Sequence, residues 1–180
     1  MYTLVSTDSV QIKDSGDRRQ FESGAVRDIS EDKGRCDLLP LDIISHLLQD
    51  RYDCDTSEFL ESISNFIYTG DIEDIQTAID SFCLERSWDI YTAILEVSIH
   101  YEQGARKYTE RNWEKGIPLH SYLDSAIRHY LKWRREDNDE PHDRAVIWNL
   151  LGAMWTYEHK PQFIDLPFVK SNVSEVQGDD

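Results

Sequence analysis

His142-Asp143-Arg144-Ala145-Val146-Ile147-Trp148-Asn149-Leu150-Leu151-Gly152-Ala153-Met154-Trp155-Thr156-Tyr157 is apolar around most of a helical circumference. Val146, Ile147, Trp148, Leu150, Leu151, Met154 and Trp155 leave little of it for water, which predicts a helix at the centre of a fold. One strip departs from that pattern. At about 3.6 residues per turn, His142, Ala145, Asn149, Gly152 and Thr156 fall along one side, polar groups alternating with side chains too small to fill space. A buried Asn or His must find hydrogen-bond partners. Two accounts of the strip are open. Either Gly152 and Ala145 admit a neighbouring helix to which Asn149 bonds, or the missing volume belongs to a ligand that His142 and Asn149 face.

Upstream, the spacing predicts a helix from about Leu119 to Trp133, with Leu123, Ala126, Ile127 and Tyr130 inward and Asp124 at the edge of their stripe. Gly116-Ile117-Pro118 separates it from a strong helical pattern starting near Ile90. There Ile94, Val97, Tyr101, Ala105 and Tyr108 line the face expected to point inward, with Glu96, His100 and Lys107 opposite. Shorter amphipathic segments are expected at about 41–49, 56–69 and 71–84. Residues 1–22 are polar and read as a flexible arm. Residues 23–40 read as a loop carrying Arg27, Lys33 and Arg35, and the end of the chain, 161–180, reads as a tail. No strand or internal repeat is expected, so the fold class is all-α.

Composition narrows the function. The chain has 180 residues, of which 39% are hydrophobic and 11% aromatic, which suits a soluble domain with a real core. No apolar run approaches the roughly 18 residues of a spanning helix. Asp and Glu number 35 against 19 Lys and Arg, a formal net charge of -16. Such a surface repels phosphate backbones and anionic lipid, so nucleic acid and membrane are not expected partners. It leaves room for an acidic enzyme that handles a small phosphorylated ligand through divalent cations. The start has no basic region followed by an apolar stretch, and Cys36, Cys54 and Cys83 form no C-x-x-C, so a reduced cytoplasm is the expected location.

Chemistry-bearing pairs are few. Glu96 and His100 stand four apart, a spacing that suits a shared metal, a mutual hydrogen bond or a solvated face. Asp124 and Arg128 have the spacing of an ordinary helical ion pair. The run Glu136-Asp137-Asn138-Asp139-Glu140 lacks the glycine and twelfth-position carboxylate of a calcium loop. Phosphate-loop, dinucleotide, zincin and nucleophile-elbow motifs are absent. Spacing alone supports carboxylates and histidines projecting into a helical bundle.

Several blocks in order carry a resemblance. They are Gly24-Ala25-Val26-Arg27-Asp28, Lys33-Gly34-Arg35, Asp37-Leu38-Leu39-Pro40, Tyr101 to Tyr108, Arg111-Asn112-Trp113-Glu114-Lys115-Gly116, Leu123-Asp124-Ser125 through Arg128-His129, and His142 with Trp148-Asn149. Together they resemble the phage dATP/dGTP diphosphohydrolases, MazG-like all-α nucleotide pyrophosphohydrolases of the MazZ type, over about 21–40 and 90–157. The resemblance implies one helical domain over 23–160, with 50–88 as a helical insertion. It also implies hydrolysis of a purine deoxynucleoside triphosphate to the monophosphate and pyrophosphate with Mg²⁺ or Mn²⁺, and assembly as a dimer or tetramer. Trp88, Trp133 and Trp155 are the aromatic groups expected to be exposed for that assembly.

MazG-like enzymes hold metal on E-E-x-x-E and E-x-x-D helices, and no expected helix of this chain spells either. The carboxylates expected to serve instead are Glu96 and Asp124, with Glu102, Asp143, Glu136 and Asp139 in reserve. His129 or His142 is expected to orient or deprotonate the attacking water. Arg27, Lys33, Arg35, Lys107, Arg111, Lys115 and Arg128 are the expected phosphate partners, and Asn112, Trp113 and Asn149 the purine selectors. Two other readings are a non-catalytic acidic binding protein and a triphosphohydrolase that releases inorganic triphosphate.

Overall fold

The computed structural model describes residues 16–28, 39, 44 and 55–168. Among them the protein is mostly helical, with five α-helices and one small hairpin: β1 (Arg18–Gln20), β2 (Val26–Asp28), α1 (Asp55–Thr69), α2 (Ile72–Arg86), α3 (Ile90–Lys107), α4 (Leu119–Arg134) and α5 (His142–His159). Short 3₁₀ turns cover Asn112–Lys115 and Pro161–Phe163. The expected helix at 41–49 lies outside the described residues.

Local chemistry sets the helix ends. Gly70 takes a positive φ of 72° after α1, and Asp71 then caps α2 by accepting from the Glu73 amide at 3.0 Å. Ser87 closes α2 in the left-handed region, and Asp89 opens α3 by accepting from the Thr92 amide at 2.8 Å. Pro118 and Pro141 stand immediately before α4 and α5.

The most extensive packing joins α4 to α5, and the next joins α1 to α2. Phe59 of α1 stacks on Tyr130 of α4 with centroids 4.0 Å apart, and Phe82 of α2 meets Trp133 of α4 edge-on at 5.0 Å. The segment expected as an insertion therefore shares an apolar core with α4. Trp88 and Trp155 are only partly exposed: Trp88 packs on Phe82 and Trp155 on Trp113, the latter at 5.0 Å. This corrects the expectation that Trp88, Trp133 and Trp155 present an aromatic surface.

Two differences from the sequence reading matter for the site. First, an antiparallel hairpin pairs Arg18 with Asp28, Arg19 with Arg27 and Gln20 with Val26, where no strand was expected. Its missing edge partner is a side chain: Asn112 accepts from the Val26 amide at 3.2 Å and donates to the Val26 carbonyl at 3.0 Å. Second, the inward face of α3 carries Ala93, Val97 and His100, all buried, with Glu96, Gln103 and Lys107 alongside, while Ile94 is 53% exposed and Leu95 69%. The polar stripe expected outside is thus turned toward α5. There Glu96 meets Arg144 and His100 meets Trp148, contacts that no apolar periodicity can reveal.

Candidate functional site

The site is built where β2, α3, α4 and α5 meet. Strand alternation sends the Arg27 side chain from β2 into the bundle. Its guanidinium donates to the Ser121 carbonyl at 2.9 Å, Ser125 Oγ at 3.0 Å and Asn149 Oδ1 at 2.7 Å. It lies over the rings of Tyr122 and Trp148, 5.3 and 5.6 Å from their centroids. All three acceptors are neutral, and no carboxylate pairs with Arg27 among the described residues. Burial accordingly pulls its pKa down from the usual arginine value, against the raising influence of Tyr122, Tyr108 and the more distant Asp124.

Asn149 answers the question of the small-residue strip in both ways. Its amide nitrogen donates to the Ala145 carbonyl of its own helix at 2.7 Å, while its oxygen holds Arg27. Gly152 faces the ring of the fully buried Tyr122, where any Cβ would overlap Cε1. Packing therefore claims the Gly152 end of the strip, and polar chemistry claims the His142 and Asn149 end.

Beside Arg27 other cations turn inward. Lys107 is paired with Asp28 at 2.7 Å, with 7% of its side chain exposed. Arg144 holds Glu96 through Nε at 2.8 Å and Nη2 at 2.7 Å, and Arg128 pairs with the buried Asp124. Asp124 is 3% exposed, deeper than the stripe edge expected for it. Between these groups His100 packs against Trp148 at 5.8 Å, and its buried Nδ1, like Oε1 of Gln103 one turn on, has no hydrogen-bond partner among the described residues. Burial, aided by Arg144, Lys107 and Arg27, pushes the His100 pKa down to about 3.

This depressed value has a measurable consequence. The unfolded chain takes up a proton at His100 below about pH 6.5 while the folded chain stays neutral, so stability falls as pH drops from 6.5 toward 3. One pH unit below 6.5 the loss is about 1.4 kcal/mol. Urea denaturation at pH 7.5 and 5.5 should show it, and His100→Gln should flatten the dependence by that amount. An unchanged pH slope in the variant would place the titration elsewhere.

On the far side of Trp148 a hollow of about 400 Å³ opens between the second half of α3 and residues 108–113. Tyr101, Tyr108, Trp113 and Trp148 give it aromatic walls, and Gly104 and Ala105 keep one wall low. A planar heterocycle fits that chemistry and size. Trp113 forms part of this wall. Asn112 also touches the hollow, although its amide is spent on Val26.

A second polar cluster joins the end of α4 to the start of α5. His129 Nδ1 lies 2.9 Å from His142 Nδ1, and His142 Nε2 is 2.8 Å from Asp139 Oδ1. Glu140 Oε1 is 3.8 Å from both Nδ1 atoms. Burial, with His142, His100, Arg128 and Arg27 nearby, holds the His129 pKa well below its ordinary value, so its imidazole is neutral. His129, Glu140 and His142, and also Asp137, Asp139 and His142, form groups able to hold a metal ion. Glu140 was passed over in sequence because its acidic run fits no calcium loop; its distance from His129 is set by the connecting loop, in which Glu136 takes a φ of 63°.

The other expected residues lie further out. Glu102 and Arg111, both exposed and at the rim of the hollow, pair with Arg106 and with the half-buried Glu114. Asp143 pairs with Arg86 at 3.1 Å. Lys115 and Glu136 are exposed, and Lys33 and Arg35 lie outside the described residues.

Residues 85–166 match the family model described as dATP/dGTP diphosphohydrolase, N-terminal. That stretch is similar to the N-terminal domain of dATP/dGTP diphosphohydrolases. It takes in α3, α4 and α5 entire, and with them the aromatic hollow, Asp124, Asn149 and the His129–His142 cluster. The resemblance read from blocks 101–116, 123–129 and 142–149 is borne out over this segment, whereas β2 and Arg27 lie before it. No curated protein and no solved structure matches the chain. No helix among the described residues is long and apolar enough to cross a membrane.

Proposed function

We propose that the protein hydrolyses a purine deoxynucleoside triphosphate, dGTP or dATP, to the monophosphate and pyrophosphate. The observation that carries this reading is Arg27, an inward cation whose hydrogen-bond partners among the described residues are all neutral, set beside an aromatic hollow of nucleobase size. A buried cation without a counter-charge is costly, and a phosphate oxygen relieves that cost. The base enters between Trp113, Tyr101 and Trp148, and the phosphates run past Trp148 toward Arg27, with Lys107, Arg128 and Arg144 close enough to add positive potential. Asn149 and Ser125 fix the Arg27 fork, and His129 and His142 are the groups that take or orient the proton of the attacking water.

Mg²⁺ or Mn²⁺ bound with the triphosphate supplies charge neutralisation and lowers the pKa of a bound water. The donor chemistry fits: Glu96 and Asp124 are inward carboxylates now balanced by Arg144 and Arg128. Phosphate can draw those guanidiniums away and leave the oxygens for a hard cation. Assembly as a dimer or tetramer in the cytoplasm belongs to the same proposal. Its surface is the outer side of α3, where Tyr91, Ile94 and Leu95 are exposed, and sedimentation of the purified chain reads its outcome.

Product identity is the decisive test. The four dNTPs, each incubated with Mg²⁺ or Mn²⁺, should give pyrophosphate and monophosphate from dGTP or dATP and much less from dCTP and dTTP. Inorganic triphosphate with a nucleoside would make the protein a triphosphohydrolase. Turnover of none of the four would leave the acidic binding protein.

A further inference from the structure

We propose that His129, His142 and Glu140 form a three-ligand seat for one divalent first-row transition ion, with Asp139 as the outer carboxylate that orients His142. The site is additional to the hard cations that accompany the nucleotide. Binding there requires no nucleotide, although its two histidines are the rings assigned above to the attacking water.

Geometry carries the argument. Three donor atoms, each from a different side chain, stand 2.9, 3.8 and 3.8 Å apart. The point equidistant from three atoms so spaced lies about 2.1 Å from each, within the roughly 2.0–2.2 Å of zinc–imidazole and zinc–carboxylate bonds. A shared position at bonding distance from all three is not required by packing or by a simple hydrogen bond. A pair of imidazoles needs only their mutual contact, and the mutual contact alone does not place Glu140 at the same distance from both rings.

The outer shell agrees. Nε2 of His142 faces Asp139 Oδ1 at 2.8 Å, so with its proton on Nε2 the ring presents the Nδ1 lone pair to the cluster. That is the carboxylate–histidine–metal arrangement that fixes a ligand's tautomer and strengthens its basicity. His129 presents the same lone pair when its proton sits on Nε2, so binding needs only a tautomer shift and no net loss of a proton. Lys132 approaches Asp139 at 3.3 Å and Glu140 at 3.9 Å, a cation beside both carboxyl groups.

The donor set also selects the ion. Two nitrogens and one oxygen suit Zn²⁺, Co²⁺ or Mn²⁺, whereas Mg²⁺ takes oxygen ligands and gives up water reluctantly. With three protein ligands, a fourth position is open to water, as in catalytic rather than purely structural sites.

Cobalt is a direct probe, because bound Co²⁺ absorbs in the visible. The full chain, stripped with chelator and free of nucleotide, should develop d–d bands on addition of Co²⁺, saturating at one ion per chain. Zn²⁺ should erase them and Mg²⁺ should not. Glu140→Gln should weaken Co²⁺ binding at least tenfold, and Asp139→Asn by roughly 10- to 100-fold through the outer shell alone. Far-UV circular dichroism confirms that each variant is folded, and Asp139→Asn, which removes no ligand, guards against misreading a collapsed site. A featureless spectrum in the folded wild type, displacement by Mg²⁺, or unchanged affinity in both variants overturns the proposal. Release of pyrophosphate from dGTP with Mg²⁺ is measured separately. Turnover without Co²⁺ binding sinks the ion seat alone, and Co²⁺ binding without turnover sinks the proposed activity alone.

Discussion

Arg27→Met lowers kcat/KM for pyrophosphate release by about 10²–10³, the size of effect seen when a preorganised donor to a developing oxyanion is lost, while the melting temperature stays within a few degrees of wild type. The two halves of this expectation have different origins. Arg27 makes three hydrogen bonds to neutral oxygens, and their loss leaves Asn149 Oδ1 short of a donor, at a cost of about 1–3 kcal/mol. Against that, the variant no longer desolvates an unpaired cation, and the methionine stem covers Tyr122 and Trp148 much as the arginine stem does. Stability terms nearly cancel, whereas nothing replaces the charge at the phosphate. Steady-state kinetics and thermal unfolding of the same preparation decide it. If activity and stability fall together, Arg27 is a structural strut and the phosphate assignment fails.

Gly152→Val should be the most destabilising of the simple helix substitutions. Glycine in the middle of α5 already sacrifices about 1 kcal/mol of helix propensity relative to alanine. It is there because the Tyr122 ring occupies the space a Cβ needs. That ring cannot retreat, since Tyr122 is fully buried with Trp148 on one side at 5.8 Å and the Arg27 guanidinium over it. Overpacking typically costs about 1–3 kcal/mol, and a β-branched side chain here belongs at the upper end. The melting temperature should fall by roughly 6–10 °C, at about 2–4 °C per kcal/mol for a chain of this size. Shortening the opposing residue tests the cause: Tyr122→Leu should recover part of the loss in the double variant, a positive coupling in a double-mutant cycle. Additive losses would mean that the two residues do not meet.

The helices were legible because their signals are local. Gly70, Asp71, Asp89, Pro118 and Pro141 mark ends within a residue or two of the observed ones, and the spacing of Leu123, Ala126, Ile127 and Tyr130 identifies the face that α4 buries. The orientation of α3 was not. Ile94 and Leu95 look like core residues, yet Ala93 and His100 face inward, because the neighbouring α5 offers Arg144 to Glu96 and Trp148 to His100. A periodicity rule sees hydrophobicity and not the partner that satisfies a polar group. The hairpin escaped for a related reason: each strand has three residues, and its outer edge is completed by the amide of Asn112, 86 residues away.

The site divides along the same line. Arg27 could be picked out as one of few cations in an acidic chain, and Asn149 as a polar group in an apolar helix. The convergence of His129 with Glu140 and His142 depends on how residues 135–141 turn, and the left-handed Glu136 at the start of that turn has no signature in residue type. Candidate side chains were thus readable one by one. Their distances were not.

The mode of attachment of the hairpin gives the molecule an unusual vulnerability. The hairpin is held to the rest of the protein at separate points, Ser23 to the Gly116 carbonyl, Val26 to Asn112, Arg27 to Asn149 and Asp28 to Lys107, with no continuous ladder among the described residues. Successive strand residues point to opposite sides. Adding or removing a single amino acid between Phe21 and Ala25 would therefore set β1 out of step with β2, so that the hairpin and the attachments of Val26, Arg27 and Asp28 could not all form while every helix kept its place, a way to silence the protein by miscounting rather than by breaking it.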